Sequence, residues 1–307
     1  MSAAIVLLLL IGMAAIVWSA CFVGCSFHPA GTVVDYYKYQ QTVTSTAGLV
    51  AFWPLNDNSG TVAADLGPNN FAGTYTVGPV VPTYDAANKS DASPGTVALN
   101  QANIVPGDSL SGDPSQLSPC VYFDGGFVSV PWQPALGPPM PGQFTLEAWV
   151  VPDWTLADAQ NDPSFRCVVM SAVSAASTGF GILATPNNLW SAAVGIGSQF
   201  VTVVTGSNQT IVQGSLYFLV VTYDGTTLTL RVNPADTTQP PDASAAASGY
   251  VPVASPVPLY IGTGRPELPT PLYPFKGRIQ DVAFYNVVLD GKTIETHYLN
   301  GSGMAMS

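Results

Sequence analysis

Charge is scarce in this sequence. Of 307 residues only 9% are charged, 8 Lys and Arg set against 19 Asp and Glu, for a formal net charge of −11. An ordinary soluble domain carries about 25% charged residues, and a nucleic-acid partner calls for a basic patch that neutralises phosphates. With so few cations, scattered along the whole length, nucleic acid is excluded as a partner. Glutamate is scarcer still: Glu147, Glu267 and Glu295 are the three present, and none has a second carboxylate two or four residues away. That spacing along one strand would turn the nucleophile and acid of a glycosidase toward a common groove. The two histidines, His28 and His297, stand near opposite ends of the chain, and there is neither a Gly-x-Ser-x-Gly elbow nor a Cys-x-x-Cys pair. The sequence therefore offers no catalytic site and reads as a non-enzyme.

Basic residues are also missing from the N-terminus, where the first is Lys38. The uncharged run Ala3–Val23 is long enough, at 1.5 Å per residue, to span a hydrocarbon core of about 30 Å. A cleavable signal peptide would open with a basic segment, so residues 1–25 are predicted to be a retained transmembrane helix, with the lipid bilayer as a partner. Ser19-Ala20-Cys21 resembles the end of a bacterial lipoprotein box, which makes Cys21 the alternative, a lipidation site. Low lysine content and an abundance of Thr, Ser and Asn place the body in the periplasm or outside the cell, where the four Cys are free to oxidise.

What is abundant argues for an all-β body. Thirteen Phe, 13 Tyr and 6 Trp exclude disorder, and 29 Gly with 27 Pro in no collagen-like period mark many turns. Residues 26–47 show no sustained period and read as a tether. Its tyrosines, Tyr36, Tyr37 and Tyr39, either sit at the membrane boundary or pack on the domain. From Gly48 short strands follow one another: 48–55, 119–131 with a turn at Asp124-Gly125-Gly126, 143–152, 216–224, 227–233, 257–263 and 276–289. Along 143–152, Phe144, Leu146, Ala148 and Val150 alternate with Thr145, Glu147, Trp149 and Val151, while 216–224 is apolar on both faces, as in a strand covered on both sides. Asp290 caps a short predicted helix over 290–299. Two Pro- and Ser-rich stretches, 78–119 and 233–256, read as surface excursions, and 302–307 as a tail.

In order and wording these pieces resemble the concanavalin A-like jelly roll in its laminin G-like form. The matching segments are GLVAFWPLNDNSGTVAADLGPNNFAGTY (48–75), CVYFDGGFVSVPWQPAL (120–136), FTLEAWVVPD (144–153), YFLVVTYDGTTLTLRVN (217–233), LYIGTG (259–264) and FKGRIQDVAFYNVVLDGKTIETHYLNG (275–301). The resemblance implies an all-β, two-sheet antiparallel jelly-roll sandwich over 48–301, preceded by the transmembrane helix. It also implies calcium as a candidate cofactor, held by Asp and Asn oxygens. The candidates are Asp57, Asp65, Asn69, Asn70, Asp124 and Asp281, set against the ordinary preference of turns for these residues. Trp132, Trp154 and Trp190 fall near loop ends, where exposed rings would stack on sugars. Cys120 and Cys167, both on expected strands, either join in a disulfide across the sandwich or remain buried thiols.

Two functions fit these readings. The first is an accessory or structural subunit of a larger membrane complex, respiratory or photosynthetic, with other membrane protein subunits as partners. The alternative is a membrane-anchored carbohydrate-binding or adhesion module with a glycan partner.

Overall fold

The alternation over 143–152 is realised as a nine-residue strand buried along its whole length, because each of its faces enters a different core. The computed structural model describes residues 37–78, 95–110, 113–137 and 142–304. The expected anchor and the lipidation candidate Cys21 lie outside them, and among the described residues no helix is long and apolar enough to cross a membrane.

Helix α1 (Lys38–Ser45) comes first. It is followed by β1 (Leu49–Trp53), β2 (Val62–Ala63), β3 (Gly73–Thr76), β4 (Thr96–Gln101), β5 (Ser109–Leu110) and β6 (Asp113–Leu117). Then come β7 (Cys120–Asp124), β8 (Phe127–Val130), β9 (Phe144–Pro152), α2 (Leu156–Asn161), β10 (Arg166–Val173), β11 (Thr178–Ala184), β12 (Trp190–Gly195) and β13 (Phe200–Val204). The chain closes with β14 (Tyr217–Tyr223), β15 (Thr227–Val232), β16 (Ala243–Ala246), β17 (Leu259–Ile261), β18 (Lys276–Tyr285) and α3 (Gly291–Ser302), which Asp290 caps through Thr293 N as its sequence position predicts.

One sheet runs β16-β15-β14-β9-β18-β7-β4, with β1 also paired to β18; the second runs β13-β12-β11-β10-β17-β8-β3-β2. The strand pairs within both are antiparallel. The fold is an all-β two-sheet sandwich, consistent with a jelly roll. Between the sheets lie the inward residues of β9 and β14, among them Phe144, Leu146, Leu219 and Val221, with Phe144 and Phe180 stacked on Phe284 at 5.8 and 5.4 Å.

The first sheet is covered on its outer face as well. Trp149, Phe218, Val220 and Tyr285 point outward into a second core shared with α1 and α3. Tyr39 meets Trp149 edge-on at 5.8 Å, and Tyr298 stacks on it at 6.0 Å. At Gly301 a Cβ would lie 2.2 Å from the Trp149 ring, so only glycine lets the last turn of α3 rest on the indole.

Three expectations change. The tether ends earlier than residue 47, because α1 belongs to the body: Tyr39 and Val43 are fully buried, which decides the placement of Tyr39 in favour of packing. The 78–119 stretch is not wholly an excursion, since it supplies β4, which extends the first sheet beside β7. Likewise 233–256 supplies β16 and the buried Tyr250.

Candidate functional site

With α1 and α3 on the first sheet, the outer face of the second carries, among the described residues, a small apolar cluster. Cys167, Met170, Ala172 and Leu183 form it, with Phe165, Phe200 and Tyr273 packed against them. Here a cavity of about 190 Å³ opens. A cavity of roughly 150 Å³ accepts a six-membered ring such as benzene, so this one has room for a single sugar ring.

Its floor is a row of paired residues across four strands: Met170 pairs with Gly181, Gly181 with Ala193, and Ala193 with Thr202. Small residues at the two central positions create the hollow. On Gly181 a Cβ would already meet Met170 Cε at 3.1 Å. Phe165 and Tyr273 stand edge to face at 5.5 Å at one end, and Phe200 belongs to the far strand β13.

The loop after β17 brings charge to this apolar wall. Gly264 and Leu272 exchange backbone hydrogen bonds at 2.7 and 3.1 Å, pinching off a loop that carries Arg265 and Glu267. Arg265, at φ 57°, donates its backbone N–H to Met170 Sδ at 3.4 Å and its Nε to Glu267 Oε1 at 2.6 Å. The same Oε1 accepts from Ser174 N at 3.1 Å. Arg265 lines the cavity, and no carboxylate does. Partial burial opposes the guanidinium charge, but the Glu267 hydrogen bond and the nearby Tyr273 hydroxyl outweigh it and raise the Arg265 pKa. The guanidinium stays charged.

A second polar cluster lies under the helices, on the opposite outer face. His297 and Glu147, 1% and 0% exposed, pair at 3.0 Å, and Tyr285 donates its hydroxyl to Glu147 at 2.9 Å. Thr46 Oγ1 lies 2.9 Å from His297 Nε2, so hydroxyl, imidazole and carboxylate stand in the order of a hydrolase triad. Thr46 Oγ1 also donates to Thr42 O at 2.9 Å, and His297 Nδ1 stands 3.0 Å from Glu147 Oε2. Burial lowers the His297 pKa, but the charge and the hydrogen bond of Glu147 together outweigh it and raise the pKa above the ordinary histidine value. The trio is a clasp between α1, α3 and β9.

The calcium candidates do not converge. Asp65 is consumed by backbone, accepting from Phe52 N and Gly67 N at 2.7 Å and from Phe71 N at 2.6 Å. Asp57 accepts from Tyr75 Oη at 2.8 Å, and Asn69 donates to Val50 O at 2.8 Å. Asn70 takes the left-handed turn position at φ 53°. Asp124 faces Lys276 at 3.5 Å. Asp281 is fully buried on the other side of the first sheet, beside Asp108. Among the described residues no group of three or more His, Cys, Asp or Glu could hold a metal. These residues are turn and network formers, and calcium does not fit them.

The disulfide is also corrected. Cys120 and Cys167 are free and buried, one in the core outside the first sheet and the other outside the second. The full sandwich separates them, and packed sheets lie about 10 Å apart, beyond a disulfide's reach of roughly 7 Å. Each thiol donates to a carbonyl instead, Cys120 to Ala102 O at 2.9 Å and Cys167 to Ile182 O at 3.5 Å. The tryptophan candidates are not stacking platforms: Trp154 and Trp190 are 2% and 1% exposed, and the half-buried Trp132 donates to Val253 O at 3.1 Å. Rings on the open face come from Phe165, Phe200 and Tyr273, which sequence reading did not single out. Its one available signal was the charged Arg265-Pro-Glu267 in an otherwise uncharged, proline-rich loop.

The architecture is therefore a two-sheet antiparallel sandwich with helices on one outer face and a hollow on the other. The family model described as the Concanavalin A-like lectin/glucanases superfamily matches residues 124–295, more than half of the chain, and the chain belongs to that superfamily. Among solved structures it is similar to the binding domain of Paraclostridial Mosquitocidal Protein 1, with 13% identity, a TM-score of 0.53, and coverage of 82% of this chain and 52% of that one. It is also similar to the ligand binding domain of botulinum neurotoxin serotype D in complex with N-acetylneuraminic acid, with 10% identity, a TM-score of 0.53, and coverage of 85% and 52%. At such identities the likeness is one of fold, and this chain spans about half the length of those chains. No curated protein matches it.

Proposed function

We propose that the chain is a non-catalytic carbohydrate-binding or adhesion module, held at a membrane by residues 1–25 with its body outside the cytoplasm. The observation that carries this reading is the ring-sized cavity on the open sheet, with three aromatic walls and a fixed guanidinium. Aromatic faces and a few placed polar groups are what sugar binding requires. Membership of a superfamily that includes lectins supports it, as does the neurotoxin D ligand binding domain, about half of which shares this fold and which is seen with N-acetylneuraminic acid. The glutamates support a non-catalytic role, because each already has a partner: Glu147 in the clasp, Glu267 behind Arg265, and Glu295 with Thr237. An accessory-subunit role has no site among the described residues comparable to this one.

A glycan array probed with the full chain in mild detergent tests the reading. Saturable binding is expected, and Ala193→Leu, which fills the hollow, should reduce it at least tenfold while moving the thermal midpoint by no more than a few degrees. Binding that survives Ala193→Leu would place the sugar elsewhere on the sandwich.

A further inference from the structure

Resting on the carbohydrate reading, we infer that the cavity selects a sugar bearing a carboxylate, with Arg265 as the group that receives it. Arg265 is the one charged side chain lining the hollow, and 24% of it remains exposed. Its Nε is spent on Glu267, which holds the guanidinium from outside the lining and is itself only 11% exposed. The Nη edge, beside the Tyr273 hydroxyl, is offered to the cavity, and its planar donor pair matches the two oxygens of a carboxylate. The surroundings strengthen such a contact, because Phe165, Met170, Leu183 and Phe200 exclude water and lower the local dielectric.

The remaining polar groups agree. Ser174, Thr202 and the Tyr273 hydroxyl can serve ring hydroxyls, and no carboxylate in the lining competes for the guanidinium. A neutral sugar would exchange water for these contacts at little net gain, whereas an acidic one adds a charge-assisted pair. With a formal net charge of −11, the molecule repels anions in general, so an acid preference must arise from local geometry. Glu267 acts as a positioning residue: it fixes the angle of the fork and touches no ligand.

Calorimetry on the full chain with matched methyl glycosides tests this, glucuronide against glucoside and galacturonide against galactoside. At least one acid should bind about tenfold tighter than its neutral twin. Arg265→Gln should erase that preference, bringing each acid to within about twofold of its neutral twin, and Glu267→Gln should weaken the preference about threefold without abolishing it. Near-ultraviolet dichroism of both variants confirms the fold. If acids and neutral sugars bind alike in the parent chain, or if Arg265→Gln keeps the preference, the inference is wrong and the carbohydrate reading stands. If no glycan of either kind binds, both fall.

Discussion

Asp281 is fully buried in a left-handed backbone conformation at φ 54°, and neither carboxyl oxygen has a hydrogen-bond partner. Ionising it there would leave a charge without compensation. Burial first, then the charges of Asp108 and Glu147, hold its pKa well above the carboxylate range. Asp108 is lifted from 3.8 to about 6 by burial, against the hydrogen bonds of Ser118, Gln40 and Gln280 that favour its charge. A raised folded-state pKa stabilises fully below the unfolded value and loses that contribution as pH rises through the folded one. For Asp108 the swing is roughly 2 kcal/mol between pH 4 and pH 7, and Asp281 and His297 act in the same sense. The lowered carboxyls Asp153, Asp158, Asp224, Asp236 and Asp290 act oppositely, losing stability as pH falls below 3.8, but all except the half-buried Asp153 are exposed, and they contribute little. Maximum stability therefore lies at about pH 4–6. Thermal unfolding should show a midpoint roughly 3 °C or more higher at pH 5 than at pH 8, and Asp108→Asn should raise the pH 8 midpoint. A parent midpoint as high at pH 8 as at pH 5 would refute this assignment of protons.

At the scale of elements, the informative case is α1. Its sequence, KYQQTVTS, carries β-branched residues and no side-chain N-cap, so nothing local predicts a helix. It forms because Tyr39 and Val43 close over Trp149, while Gln40 donates to Asp108 at 2.8 Å and to Ser118 at 3.0 Å. The strand 143–152 shows the converse: its alternation was legible, but full burial of both faces followed only once α1 and α3 covered the outer one. Truncating a fully buried aromatic costs about 3–5 kcal/mol, and Tyr39→Ala should lower urea-unfolding stability by about 3 kcal/mol. An effect below 1 kcal/mol would return 38–45 to the tether.

For the whole molecule, the two outer faces differ in role: one is sealed by helices, the other is left open with its cavity. Cys120 and Cys167 mark these opposite faces, and burial pushes the Cys120 thiol up to about 12 and raises that of Cys167 as well. Neither should react with a thiol reagent in the native, unreduced protein, and both should react once it is unfolded without reductant. Protection that persists after unfolding would restore the disulfide.

The sequence by itself determined the sandwich. Period-2 patterns at 143–152 and 227–233, turn residues at Asp124-Gly125 and Asp224-Gly225, and the Asp290 cap are local signals, each readable within a few residues. Only the tertiary structure decided the site. The floor draws Met170, Gly181, Ala193 and Thr202 from four strands, and the fork of Arg265 takes its direction from Glu267 and Met170, so each part acquires meaning from neighbours remote in sequence. The same holds for the metal and disulfide candidates: residue type and spacing suggested them, but the partners that consume Asp65 and the sheets that separate Cys120 from Cys167 exist only after folding.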